Sequence, residues 1–580
     1  MNDFQKGSPL PVLFAAGVLY PVITFPAGGC FMSFYSGLSE KKRAFLTGTL
    51  LLTAAGFLCR LLGFFYRIFL SRTIGAEGLG IYNMVHPVYG ICFALCGGAI
   101  QTALSQYIAA HENQGRRVFR TGLAISMALS CILAFLICRY PGWIASRILM
   151  EPRCAPYLPV MGLSLPFASF HACANGYCYG AQKSRVPAFS QVAEQVVRMT
   201  LVFLIAGKWA ADGTEITVRL AVYGHLIGEI GAASFNLLCL ILFPPQRRNT
   251  KRAGWISDSA ADSRNAASMP HDSVSTARTI RSQLSDHTIP NSHLQLPADV
   301  SSCFMSLMVL ALPLMGNRLI LNLLAGAEAV WIPNRLQMSG LSDAEAFSVY
   351  GVLTGMALPF ILFPSAITNS IAVLLLPSVA KDQAEGRTDS IAGSVSMALR
   401  YSLYMGILCI GIFVLFGRPL GTSVFKEEQA GRCMQILAWL CPFLYLAATM
   451  GSILNGLGCT RTTFLQSVTA MLLRLCFVVA GIPVFGIYGY LCGMLVSEIF
   501  LALAHLWSLK RRIAFTWNAW EMIAKPTFFL FLAIGIHHFI AGFLPATAGA
   551  MPLFVKTAFQ ILMLAFCYGT LLLYAHILKQ

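Results

Sequence analysis

The stretch Gly56–Tyr82 reads GFLCRLLGFFYRIFLSRTIGAEGLGIY, and its first fifteen residues are apolar except for Arg60 and Arg67. A helix needs about 20 residues to cross a hydrocarbon core of roughly 30 Å, and the apolar segment 44–68 is long enough. Strands of a membrane barrel are shorter and alternate in polarity. The stretch therefore predicts a membrane-spanning α-helix.

Similar stretches recur along almost the whole chain of 580 residues, which is 57% hydrophobic and 11% charged. A soluble domain has about 25% charged residues, so water is not the main solvent here. We predict an all-α polytopic membrane protein with about fourteen transmembrane helices. The predicted spans are 44–68, 80–108, 121–140, 156–180, 187–207, 217–243, 303–325, 348–377, 391–416, 433–457, 463–481, 484–508, 525–544 and 551–577.

The net charge of +17 is spread unevenly over the loops. If the amino terminus is cytoplasmic, twenty-three Lys and Arg residues lie near inner span ends and eleven near outer ones. Positive residues concentrate on the cytoplasmic side, so we expect a multi-pass protein of a bacterial cytoplasmic membrane with both termini inside. The excess charge then faces membrane lipids, and no nucleic-acid partner is expected.

An internal repeat relates the two halves of the chain. At a shift of 276 residues, Pro166-Phe167 aligns with Pro442-Phe443 and Arg198 with Arg474, within seven identities over 33 positions. A repeat of six spans inserts both copies the same way up, as in transporters built from parallel repeats. The predicted divisions are an extension or mis-assigned start at 1–40, a six-helix bundle at 41–243, a disordered cytoplasmic linker at 244–300, a second bundle at 301–510 and two added helices at 511–580.

Two stretches carry a family resemblance: Gly56–Tyr82 and Tyr350–Ala380, the latter reading YGVLTGMALPFILFPSAITNSIAVLLLPSVA. They resemble the first and eighth spans of the polysaccharide transporter branch of the multidrug/oligosaccharidyl-lipid/polysaccharide (MOP) flippase superfamily. The resemblance implies a V-shaped pair of six-helix bundles. It also implies export of undecaprenyl-pyrophosphate-linked sugars for envelope or spore-cortex peptidoglycan, by alternating access through a central cavity.

Arginines within the predicted spans are the candidates for binding such a pyrophosphate, because a guanidinium grips phosphate oxygens bidentately. An ionisable side chain at this depth costs several kcal/mol unless it faces a partner or a wet cavity. For Arg67 the alternative is snorkelling to the interface, and for Arg198 an ion pair with Glu194. Arg400 is expected to be solvated. The predicted substrate-binding residues are Arg60, Arg67, Arg198, Arg318 and Arg474.

Three acidic residues, Glu194, Glu229 and Glu498, are candidates for coupling to H⁺ or Na⁺, with helix pairing as the alternative. His86 and His171 are expected to be isolated packing residues. We find no catalytic triad, metal-ligand spacing or nucleotide fingerprint, so we expect no enzyme, metal or cofactor. A monomer is expected.

Two other functions stay open. A multidrug or cation antiporter of the same superfamily would favour an acidic and aromatic cavity, whereas the predicted cavity is rich in arginine. A membrane glycosyltransferase or polymerase acting on the same lipid carriers would need catalytic acids at a membrane face. The predicted outer loops are too short for such a site.

Overall fold

The computed structural model describes residues 40–110, 115–242, 300–542 and 552–577. These ranges are helical and contain no strand, which confirms the predicted all-α membrane fold. The expected extension and most of the expected linker lie outside the described residues.

The longer helices are numbered here in chain order, and short helical turns are left without labels. They are α1 Glu40–Phe93, α2 Ala99–Ala110, α3 Gly115–Arg139, α4 Leu158–Gly180, α5 Arg185–Ala211, α6 Val218–Leu242, α7 Val300–Met338, α8 Asp343–Gly351, α9 Ser365–Ala384, α10 Thr388–Leu420, α11 Glu428–Leu437, α12 Cys441–Gly456, α13 Thr460–Ala480, α14 Ile487–Lys510, α15 Lys525–Gly542 and α16 Leu553–Ile577.

By length and hydropathy, twelve helices of the described ranges could cross a membrane. The predicted number of fourteen is thus not confirmed, and the difference has two sources. The predicted spans 44–68 and 80–108 count as one candidate, Leu51–Ala110. Helix α4, which covers the predicted span 156–180, is not among the candidates because polar residues such as His171 and Asn175 lower its hydropathy.

A kink at Gly75 divides α1 into the two segments predicted from the sequence. Gly75 has φ 71° and ψ −177°, a conformation that side chains with a Cβ rarely adopt. The segment that follows the kink packs against α8. Residues 40–242 are called the first half below, and residues 300–510 the second half.

Within the described residues the two halves contact each other at several places, of which two bury backbone or apolar side chains closely. At the end predicted to face outward, α1 crosses α8 at glycine: a Cβ on Gly351 would overlap the carbonyl oxygen of Ala76, and one on Gly80 the carbonyl oxygen of Phe347. Elsewhere α2 packs against α7, with Leu307 and Ala311 in one buried cluster with Ala103 and Leu104 of α2. The added helices α15 and α16 pack together and against α10.

Five π-helical turns occur in the described ranges, at Ala94–Gly98, Ile144–Ile148, Val352–Ala357, Gly421–Phe425 and Trp520–Ala524. A π turn frees backbone carbonyls from the normal helical ladder. In four of these turns a side chain from another part of the chain donates to a carbonyl. Ser126 donates to Cys96, Arg67 to Thr354, Arg72 to Ser423 and Val424, and Tyr404 to Glu521.

Candidate functional site

Arg60 lies on an open face of α1. Its side chain is exposed, and within the described part of the chain it has no ionic partner. A Cβ added to Gly56 or Gly63, which share this face one turn or so away, would meet no atom within 4 Å. The structure thus leaves open space beside these two glycines, on the face that carries Arg60.

Arg67 faces the second half. Its Nη1 atom donates to the carbonyl oxygen of Thr354 at 3.2 Å, inside the π turn that follows α8. The nearby Asn83 donates to the Thr354 hydroxyl at 3.0 Å. This contact between halves occupies the side chain, so the alternative of an arginine snorkelling to the interface does not describe it.

Arg198 and two glutamates form a buried polar cluster in the first half. Arg198 pairs with Glu194 one turn away on α5, as the spacing predicts. Glu229 of α6 accepts a hydrogen bond from the Tyr89 hydroxyl at 3.0 Å and lies 3.5 Å from Nδ1 of His171 on α4. The cluster therefore draws side chains from four helices.

The expectation that His86 and His171 are isolated is wrong. His171 lies beside Glu229, and the His86 ring lies 5.5 Å from the ring of His225, itself on α6. These residues are far apart in sequence, and the helix packing that brings them together leaves no periodic signal. Within the described residues no group of three or more His, Cys, Asp or Glu side chains could hold a metal ion.

Arg318 reaches from α7 to the first half. Its Nη2 atom donates to the Thr102 hydroxyl of α2 at 3.1 Å. Its Nη1 atom occupies the space that a Cβ on Gly98 would fill. Asn322, one turn away, donates to the backbone carbonyl of Arg318 at 2.8 Å. The guanidinium is exposed and spans the junction of the two halves.

The sequence predicts no ionic partner for Arg474 within its own helix, but the structure gives it partners on two other helices. The position one turn before it on α13 is Ala470, but α7 supplies Glu328, whose Oε1 lies 2.8 Å from Nε of Arg474. Glu498 of α14 lies 3.8 Å from Nη1 of the same arginine. Partners on other helices cannot be predicted from spacing within α13.

Glu328 was missed because the predicted span 303–325 ends before it. Helix α7 continues to Met338, so Glu328 lies within a helix and is 8% exposed. An acidic residue three positions beyond a predicted span end was the available signal, since such boundaries carry errors of several residues.

A cavity of about 400 Å³ opens beside Arg474. It lies among α7, α13 and α14, entirely within the second half, and Asn322, Arg474 and Glu498 are among its polar lining residues. Of the five predicted substrate-binding arginines, only Arg474 lines it. Arg318, one turn from Asn322, lies on the adjoining part of α7.

Arg400 is half-exposed and lies 3.7 Å from Glu521, in the π turn that begins the added helices.

At the predicted outer end, Arg153 contacts residues of several helices and turns. Its guanidinium contacts Glu151 at 2.8 Å and Glu77 at 2.6 Å, and it lies over the ring of Phe347. Hydrogen bonding to Glu151 raises the pKa of Arg153, so this cation persists at any physiological pH.

The fold and these buried charges define the class: an integral membrane protein with the fold of MOP superfamily transporters. An inward closed structure of the lipid II flippase MurJ matches 92% of this chain and 100% of its own, with a TM-score of 0.61 and 13% identity. An inward-facing multidrug resistance MATE family transporter of the MOP superfamily matches 80% of this chain and 98% of its own, with a TM-score of 0.55 and 12% identity.

Sequence comparisons show which proteins of this class the chain is similar to. Residues 45–255 match the family model described as polysaccharide biosynthesis protein. Stage V sporulation protein B of Bacillus subtilis (strain 168) is 25% identical over 80% of this chain and 83% of its own. Lipid II flippase MurJ of the same organism is 20% identical over 86% of this chain and 89% of its own. The resemblance expected from the sequence is confirmed, and it supports a flippase or transporter rather than an enzyme.

Proposed function

We propose that this protein is a flippase that moves undecaprenyl-pyrophosphate-linked sugars across the bacterial cytoplasmic membrane, for peptidoglycan of the envelope or spore cortex. The single observation that carries the proposal is Arg60, a cation without an ionic partner among the described residues, on a helix face that opens to empty space. The similarity to a lipid II flippase and a sporulation protein agrees with this substrate class.

The arginines would replace the hydration of the pyrophosphate while the prenyl tail stays in lipid. Arg60 offers a guanidinium without an ionic partner among the described residues, and Arg474, which pairs with Glu328 and Glu498, lines the cavity of the second half. Arg318 lies at the junction of α7 with α2. Arg67 and Arg198 are held by Thr354 and Glu194, so we assign them positions in the cavity wall.

Coupling to H⁺ or Na⁺ would use the carboxylates that the helices enclose. Glu194 and Glu229 share the polar cluster of the first half, and Glu498 lines the cavity of the second. Each lies near a cationic or titratable neighbour, as a group that gains and loses charge requires. We also propose that the protein acts as a monomer with both termini in the cytoplasm.

A second candidate is a cation antiporter of the same superfamily. It is favoured by the two carboxylates around Arg474, Glu328 and Glu498, which leave that site with a net negative charge when all three groups are ionised. The two candidates differ in the charge of the transported molecule, and one experiment separates them.

The test uses protein reconstituted in vesicles that contain fluorescent lipid II, an unrelated lipid-linked glycan or a cationic dye. We expect transport of a lipid-linked sugar and none of the dye. Arg60→Ala should reduce flipping at least tenfold, and Arg60→Lys should restore it in part, because Lys keeps the charge but loses the planar fork.

Arg432→Ala is the matched control, because Arg432 is exposed and pairs with Glu428 one turn away. Such a pair contributes about 0.3–0.5 kcal/mol, so the variant should fold and transport normally. Well-folded Arg60→Ala protein that flips lipid II at the wild-type rate would rule out the cationic-cavity mechanism. Transport of the dye alone would favour the antiporter.

A further inference from the structure

The guanidinium of Arg474 contacts the carboxylate of Glu328 through two of its nitrogens. Its Nε atom lies 2.8 Å from Oε1 of Glu328, and its Nη2 atom donates to Oε2 of the same carboxylate at 2.8 Å. One hydrogen bond, from Nη2, and one close ionic contact, at Nε, therefore join this guanidinium to the carboxylate, and arginine can bind phosphate oxygens through the same two nitrogens. The side chains of Arg474 and Glu328 are only 18% and 11% exposed.

Arg474 stands between Glu328 and the cavity. Arg474 and Glu498 line that cavity of about 400 Å³, whereas Glu328 does not. A ligand that enters the cavity therefore meets the guanidinium first. A ligand that binds through the same two nitrogens, Nε and Nη2, must displace the carboxylate of Glu328.

Few groups could stabilise Glu328 once Arg474 has turned to a ligand. The Tyr490 hydroxyl of α14 donates to Glu328 at 2.6 Å, and Tyr350 of α8 is the other titratable group beside it. Glu498 adds negative charge on the far side of Arg474. The adjoining part of α1 presents apolar atoms of Pro87 and Ile91 to Gly326. Arg474 is thus the one cation that faces Glu328 among the described residues.

We propose that Glu328 is a built-in competitor for the substrate's pyrophosphate, and that it takes up a proton when the pyrophosphate displaces it from Arg474. The inference rests on the proposed function. It adds Glu328 to the binding site and one bound proton per pyrophosphate. A buried carboxylate without its cation costs several kcal/mol, whereas a neutral carboxylic acid can keep its hydrogen bond to Tyr490. The proton comes from water and is released when Glu328 returns to Arg474.

This exchange makes the site selective. A ligand must offer enough negative charge to replace a well-placed carboxylate, so weakly charged or neutral molecules leave the Arg474–Glu328 pair intact. If the pair is closed in nine of ten molecules, the apparent affinity for pyrophosphate falls about tenfold. Glu328 is then a specificity-determining residue that acts through Arg474.

The wild-type protein provides a direct test. The probe is farnesyl-pyrophosphoryl-N-acetylglucosamine, a disubstituted pyrophosphate whose acidic oxygens stay ionised near neutral pH. Its binding to protein in nanodiscs is measured by calorimetry in buffers of different ionisation enthalpy, which gives the protons bound per ligand. We expect uptake approaching one proton at pH 7, with affinity that rises as the pH falls.

Two isosteric variants localise the proton. Glu328→Gln should bind the probe about tenfold more tightly at pH 7 and take up no proton. Glu428→Gln, which changes an exposed carboxylate that pairs with Arg432 outside the site, should keep the uptake. If Glu328→Gln does not fold, an absence of proton uptake by the wild-type protein still overturns the exchange.

The outcomes separate this inference from the proposed function. Probe binding with no proton uptake in wild-type protein, or equal uptake in Glu328→Gln, overturns the exchange and leaves the flippase proposal standing. Failure of the probe to bind at any pH overturns the proposed substrate class, and the exchange with it.

Discussion

The position of the Arg318 guanidinium depends on the absence of a Cβ at Gly98. A Cβ at Gly98 would occupy the place of Nη1, so Gly98→Ala should expel Arg318 from its hydrogen bond to Thr102. Alanine raises helix propensity by about 1 kcal/mol over glycine, and the displaced group is the end of a flexible side chain. We therefore expect a stable protein whose flipping rate falls as far as that of Arg318→Ala.

A double-mutant cycle tests this dependence. If Gly98→Ala acts through Arg318, adding it to Arg318→Ala should change the vesicle flipping rate no further. Gly316→Ala is the control on α7, since a Cβ there meets no atom within 4 Å. Additive losses in the double variant would show that Gly98 acts by another route.

The sequence predicted which charged residues lie within the helices better than it predicted their ionic partners. The pair of Arg198 and Glu194 was predictable because both lie on α5 one turn apart. The partner of Arg474 was not, because Glu328 comes from a helix 146 residues away. Spacing along one helix is visible in a sequence, whereas the rotation of one helix against another is set by packing of the whole bundle.

The crossing of α1 and α8 closes the predicted outer end of the protein, and a native thiol lies next to it. Cys154 is fully buried in the same apolar cluster as Phe347 and Tyr350 of α8. Burial raises the pKa of the Cys154 thiol to about 12, so almost no thiolate is present at neutral pH. Because the thiolate is the reactive form, Cys154 should resist maleimides in the closed protein.

Separating the two helices should expose this thiol. Gly351→Ala places a Cβ on the Ala76 carbonyl oxygen, and such overpacking costs about 1–3 kcal/mol. In a background that retains Cys154 alone, we expect Gly351→Ala to speed labelling by a maleimide at least severalfold. Gly393→Ala, in open space, should leave the rate unchanged. Equal rates in both variants would show that the crossing does not control access.

For the helices, the hydropathy of the sequence predicted the position of most of them but not the residues at which they begin and end. The predicted span 348–377 is two helical pieces, Asp343–Leu362 and Ser365–Ala384, divided near Pro364. Proline removes a helical hydrogen bond, but hydropathy averaged over a window does not register it. The predicted span 303–325 also leaves out residues 326–338 of α7, which include Glu328.

For the whole molecule, the distribution of Lys and Arg predicts orientation. Arg117, near the start of α3, should lie in the cytoplasm, and Asp343, at the start of α8, should lie outside. Both positions are exposed, so single cysteines there can be labelled. In intact cells an impermeant thiol reagent should label Asp343→Cys and spare Arg117→Cys. The reverse pattern would invert the topology.

Each π turn determines how far the helix that follows it is rotated about its own axis. A π turn holds one residue more than the α-helical turn it replaces, and each residue of an α-helix rotates the chain by about 100°. Loss of one residue from Ala94–Gly98 would therefore swing α2 about a quarter of a circle relative to α1. Thr102 would then turn away from Arg318 without any change in composition or hydropathy. In such a chain, insertions and deletions of a single residue can redirect an entire cavity wall that point substitutions leave in place.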